Sequence, residues 1–187
     1  VTMNGAPVTE GEVQGIIGSA GKGEKRFSGK LDEDGIFRAE RLPAGAAYVE
    51  IVANISTAAL MRTLTFTLNE GEDSQHNVDF DAQTGIIGKV TSLAEGEFAE
   101  IIVVVGEVSV DLSKAEELIA VRHMASGVAE VKEDGTFRVE GLEPGDYTVI
   151  AVAFNPDDDA GDPLDTMRMA KESVTLASES LELDLAP

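Results

Sequence analysis

Asp157, Asp159 and Asp162 are the strongest metal-ligand candidates in the chain. They crowd hard carboxylate oxygens, the ligand type calcium takes, into six residues of the stretch NPDDDAGDPLD (Asn155 to Asp165). Gly161 would permit the tight turn such a loop needs. The spacing departs from D-x-[DN]-x-[DN]-G-x5-E, because neither the glycine nor a closing glutamate falls in place. In a chain with 35 acidic residues the stretch reads first as a solvated loop, with a calcium-assisted binding loop as the alternative.

Two histidines bound the catalytic possibilities. His76 lies in the polar stretch EDSQHN, and His123 follows Arg122 at the end of a predicted helix, so both read as surface residues. No H-E-x-x-H, G-x-S-x-G or phosphate-loop string occurs. With no cysteine there is no thiol nucleophile, disulfide or thiolate zinc site. Carboxylates are so many that proximity in sequence singles out no general acid–base pair. The sequence therefore nominates no catalytic, cofactor-binding or metal residue, and the chain reads as a non-enzyme. Aromatic platforms for sugars are also scarce, with no Trp and two Tyr, while Phe37, Phe66, Phe80 and Phe137 fall on core-phased positions. A Lys-to-Asp crosslink of the kind found in surface adhesins could join Lys89 and Asp184, but the phase of GIIGKV turns Lys89 outward.

The net charge of −21 sets the partner classes. It repels phosphate backbones and anionic lipids, so no nucleic acid is expected as a partner. The longest apolar run, Ile101 to Val105, falls far short of the ~20 residues a membrane-spanning helix needs, so no membrane insertion is expected either. The chain opens on Val1, which reads as a piece of a longer protein.

The elements that would position these residues are organised by a repeat. EDGTFRVEGLEPGDYTVIAVA (Glu133 to Ala153) and EDGIFRAERLPAGAAYVEIVA (Glu33 to Ala53) lie one hundred residues apart and share eleven of twenty-one positions. In each copy an Asp-Gly turn is followed by alternating residues (Phe137 and Val139; Phe37 and Ala39), which predicts a half-buried strand. After a second turn comes a strand that is apolar nearly throughout in YTVIAVAF, as expected when both faces are covered. Extended segments flank this centre: RFSGKL and GVAEV before it, then LTFTL and SVTLA, then NVDFD and LELDL. GIIG (Gly85 to Gly88) opens the second copy, Ile101 to Val108 is its next strand, and VQGII (Val13 to Ile17) is that strand's counterpart, preceded by an edge strand within Val1 to Val8. SKAEELIAVRHM predicts one short helix capped by Ser113. The reading is all-β, in two tandem Greek-key β-sandwich domains, 1–82 and 83–187, with one short helix in the second.

The string D-G-x-F-x-v-x-G-L-x-P-G-x-Y-x-v, through Asp134, Gly135, Phe137, Gly141, Leu142, Pro144, Gly145, Tyr147 and Val149, resembles the carboxypeptidase regulatory-like domain. The resemblance implies a transthyretin-like (prealbumin-like) β-sandwich. The first copy is degenerate: Arg41 stands for the Gly, Ala44 for the Pro and Ala47 for the Tyr. Its Tyr48 comes one place late, so an ungapped register puts Val49 and Ile51 in the core and Tyr48 outside. Two enzyme types share the fold. The intradiol dioxygenases' closely spaced histidine pair and the hydroxyisourate hydrolases' C-terminal Tyr-Arg-Gly-Ser are both missing, since this chain ends Leu-Ala-Pro. The resemblance implies a structural or spacer role in a larger exported or cell-surface bacterial protein, hence an extracytoplasmic location, with the other domains of that protein as partners. The alternative it leaves is a module for a protein or polysaccharide ligand, assisted by calcium.

Overall fold

The computed structural model describes residues 1–19, 22–55, 58–81, 84–94, 96–109, 114–155, 167–177 and 179–187. Ser113 and the Asp157 to Asp162 stretch lie outside these described residues, and the helix cap expected at Ser113 falls instead on Lys114, whose side chain makes no cap hydrogen bond. Among the described residues the chain is all-β apart from one short helix, and it divides into two compact units: Val1–Ile55 with Met61–Phe80, and Asp81–Pro187 with Ser56–Leu60.

Unit 1 contains β1 (Thr2–Met3), β2 (Ala6–Pro7), β3 (Gly11–Ser19), β4 (Lys22–Lys30), β5 (Gly45–Ile55), most of β6 (Ala58–Leu68) and β7 (Asp79–Phe80). Its larger sheet has the order β6-β5-β3-β4, and β2-β1-β7 forms a small second sheet. Asn4 and Gly5, at φ 50° and 75°, make the tight turn between β1 and β2. On β3 and β5 the residues Val13, Ile17, Ala47, Val49, Ile51 and Ala53 point into the core, while Tyr48 is 51% exposed, so the ungapped register holds. Phe80 is buried beneath Arg62, whose guanidinium lies 5.2 Å from the ring centre.

Unit 2 contains β8 (Gly85–Val90), β9 (Phe98–Val105), α1 (Ala115–His123), β10 (Ala125–Glu130), β11 (Thr136–Glu140), β12 (Gly145–Phe154), β13 (Arg168–Leu176) and β14 (Leu181–Leu185). One sheet runs β13-β12-β9-β10, with Ala58, Ala59 and Leu60 pairing along the β10 edge; the other runs β11-β8-β14. The two sheets pack face to face. A Cβ on Gly127 of β10 would come within 2.5 Å of Val139 on β11, so only glycine lets the layers approach this closely. Residues Tyr147 to Ala153 of β12 are all buried, as the unbroken apolar run predicts. The opposite sheet covers one face. On the other, Thr148 donates to the Gly106 carbonyl at 2.6 Å and accepts from the Val108 N–H at 3.3 Å, and α1 is tied down by Arg122 to Glu100 at 2.8 Å. The helix carries Glu116 and Glu117 in its first turn and Arg122 and His123 in its last, which suits its dipole.

The repeat is visible atom by atom at the Asp-Gly turns. Gly35 donates to the Asp32 carbonyl at 2.9 Å and Gly135 to the Lys132 carbonyl at 2.8 Å. β3 takes the place beside β5 that β9 takes beside β12. Two expectations need correction. Residues 36–40 form no strand: Ala39 is exposed, and Phe37 is half-buried over Gly29, stacked on Phe27 at 6.1 Å. The cause is local, since β1 ends after two residues and β2 already occupies its free side. The strand expected over Ile101 to Val108 ends at Val105, because Gly106 turns the chain at φ 77°.

Candidate functional site

Among the described residues, no cluster of three or more His, Cys, Asp or Glu side chains could hold a metal ion. His76 and His123 are both exposed and far apart in sequence. The His76 ring lies tilted against Phe66, with 3.9 Å between ring centres, and shares a 2.7 Å hydrogen bond with the Ser74 hydroxyl, so it fastens the 69–78 segment to β6. Tyr147 is buried and donates its hydroxyl to the Glu143 carbonyl at 2.7 Å, which commits it to packing. Lys89 and Asp184 face each other in the parallel β8–β14 pair, and both are exposed. Amide formation between them would need a water-excluded environment, and an exposed pair lacks it.

Two charged clusters shape unit 2. Arg168 grips Glu97 with two nitrogens, at 3.2 and 2.5 Å, and also donates to the carbonyls of Ser92 and Pro187. The Arg168 hydrogen bond holds the Glu97 carboxyl below the usual range. Glu100 stands opposite Glu130 in the ladder and beneath Arg122. Burial pushes the Glu100 carboxyl up, Arg122 pulls it back, and Glu130 adds to the rise. Both clusters tie segments together. In unit 1 the Thr2 hydroxyl and the Gly5 N–H both donate to Asp79, which lowers that carboxyl and joins β7 to the β1–β2 turn.

The concave feature of interest lies in unit 1, on the outer face of the β6-β5-β3-β4 sheet. It is a depression of about 610 Å³. Its floor is low because Gly18 and Ala46 sit side by side in the β3–β5 register; Tyr48, Glu24, Thr65 and Thr67 rise around it. Ile16 stands directly across from Tyr48, and in the next outward row Gln14 donates to Glu50 at 2.7 Å. The sequence reading assigned Tyr48 to the outside but gave it no neighbours. Only the strand register brings it beside Ile16.

No protein-family model matches the chain, and no curated protein matches it. Among solved structures, it is similar to the crystal structure of a tetra-tandem repeat in the extending region of a large adhesion protein. The identity is 14% and the TM-score 0.24, over 92% of this chain and 43% of that one. At that score the likeness carries no argument.

Proposed function

We propose that the chain is a non-enzymatic tandem of two transthyretin-like Greek-key β-sandwich modules, 1–82 and 83–187, of the carboxypeptidase regulatory-like type. Their role is to space or stabilise neighbouring domains of a larger exported or cell-surface protein. The strand order supports the fold. In unit 2, β12 returns beside β9 after β10 and β11, the fourth-beside-first path of a Greek key carried across two sheets. Unit 1 repeats the four-stranded sheet in the same order. The motif residues Phe137, Leu142, Tyr147 and Val149 are buried, and Gly141 sits at φ 80°.

The observation that carries the role is the pairing of first and last strands. β8 and β14 run parallel through five consecutive partners, from Leu181 with Ile86 to Leu185 with Val90. β1 and β7 run parallel through two. In a parallel pair the chain enters a unit at one end of the strands and leaves at the other. Tension along the chain then shears the pair, and the evenly spaced ladder bonds must break together rather than one by one. Such a geometry resists extension, as a spacer requires.

Force spectroscopy on the whole chain between handle domains tests this. Two unfolding peaks are expected, each releasing about 3.5 Å of contour per residue freed, with the two-pair unit yielding before the five-pair unit. Extension at low force without a peak from residues 83–187 would remove the basis for the spacer role.

A further inference from the structure

We propose that the outer face of the unit 1 sheet is a binding site for a neutral polysaccharide, with Tyr48 as the platform on which a sugar ring stacks. The inference does not depend on the spacer role, which the force measurement reads separately.

It comes from comparing the same sheet face in the two units. Tyr48 and Glu50 on β5 correspond, at the repeat offset, to Thr148 and Ile150 on β12. Ile16 pairs with Tyr48 as Val104 pairs with Thr148, and Gln14 pairs with Glu50 as Ile102 pairs with Ile150. In unit 2 these four positions are buried, with the Gly106 to Val108 turn bonded to Thr148 and α1 tied to the same face through Glu100. In unit 1 no described residue covers the face: Gln14 and Tyr48 are exposed, Ile16 and Glu50 half-exposed.

The chemistry of this open face decides what can cover it. An apolar cover would strip water from the Gln14–Glu50 pair and leave a carboxylate facing hydrocarbon, a costly burial. A sugar chain has no such cost. The C–H face of a pyranose ring can lie on Tyr48 and Ile16, an amphipathic platform that loses little conformational freedom. Its hydroxyls can donate to Glu24 and Glu50 and exchange hydrogen bonds with Gln14, Thr65 and Thr67. The depression falls within the ~300–1,000 Å³ of small-molecule sites. Charge narrows the class further. Glu24 and Glu50 outnumber Arg26, which stands opposite Ile16 in the β3–β4 register, and in a chain of net charge −21 this disfavours uronate or sulfated polymers and favours a neutral one. A β-linked glucan, with its ring substituents equatorial, presents the flattest C–H face.

The test is affinity electrophoresis of the full chain in native gels containing laminarin, hydroxyethyl cellulose or polygalacturonate. Retardation is expected from at least one of the two neutral glucans and none from polygalacturonate. Tyr48→Ala should weaken the retardation at least tenfold at an unchanged melting temperature, while Tyr48→Phe keeps most of it. If Tyr48→Ala does not fold, Thr65→Ala with Thr67→Ala, both solvent-facing, is expected to weaken retardation several-fold. Wild-type protein that ignores both neutral glucans, follows polygalacturonate equally, or is unaffected by these substitutions would overturn the assignment.

Discussion

Arg41 holds at φ 56° the position that Gly141 holds at φ 80° in the second copy. A side chain in left-handed backbone costs roughly 1–2 kcal/mol. Glycine gives back ~0.4–1 kcal/mol through its freer unfolded chain. Arg41→Gly is therefore expected to stabilise unit 1 by about 0.5–1 kcal/mol, read from slower hydrogen exchange of the β5 amides; faster exchange would show that the arginine side chain contributes more than its strain costs. Tyr147 is the opposite case. It is 5% exposed with its hydroxyl satisfied, so Tyr147→Ala should destabilise unit 2 by about 3–5 kcal/mol in denaturant unfolding. Glu100 adds a pH dependence with a definite sign. Its folded carboxyl is raised, chiefly by burial, so the folded state holds the proton more tightly than the unfolded one. Its ionised form thus costs stability at neutral pH, and the cost fades as pH falls through the raised value toward the unfolded one. Glu100→Gln, which can still accept from Arg122, should melt higher than the parent at pH 7. That advantage should shrink by pH 4, and a constant gap across this range would contradict it.

The two copies share a strand grammar, but their second sheets differ in extent. In unit 2, β11 pairs with β8 through five partners, and Phe137 and Val139 fill the space beneath it. In unit 1 the matching residues carry Ala39 for Val139 and lie outside any strand, and the small sheet consists of two-residue strands. Unit 1 also has Ala47 where unit 2 buries Tyr147. With fewer ladder bonds and less buried side-chain volume, unit 1 should open first. Native-state hydrogen exchange on the intact chain is expected to give smaller opening free energies for β3 and β5 than for β9 and β12; equal values would mean that packing elsewhere compensates. The alternation of TFRVE, the apolar run of β12 and the Asp-Gly turns were legible in the sequence because period and turn chemistry are local properties. The loss of a strand at 36–40 was not, because it depends on whether the sequence-distant β1 keeps a free side to pair with. One signal was present and unused. Asn4-Gly5 is a two-residue hairpin turn, and it explains both why β1 stops and why β2 takes the position that β11 holds in unit 2. The outer face of the unit 1 sheet was half legible: strand phase put Tyr48 outside, but the register that sets Ile16 and the Gln14–Glu50 pair beside it needs the fold.

Charge is distributed unevenly along the molecule. Residues 81–187 hold 23 of the 35 acidic residues and only half of the 14 basic ones, so most of the net −21 belongs to the second half. Like charges at that density oppose the compact state, and mobile ions relieve the repulsion by screening, with a Debye length of about 8 Å at 0.15 M salt. This gives two distinguishable responses to calcium. Screening depends on ionic strength and valence, so calcium and magnesium at millimolar levels should raise the melting temperature alike, and sodium chloride at matched ionic strength should give most of the same shift. A specific ion on Asp157, Asp159 and Asp162 would instead stabilise by RT ln(1 + [L]/Kd), about 2.7 kcal/mol at a hundredfold excess over Kd, and would saturate. The first outcome is expected, because backbone ladders in parallel register already join the first and last strands and the spacing of these aspartates departs from the calcium-loop pattern. Melting curves in the three salts, repeated on the chain carrying Asp157→Ala with Asp159→Ala, decide between them. A saturable shift given by calcium alone and lost in that double variant would make that stretch a metal site and bring a calcium-assisted binding role ahead of the proposed spacer role.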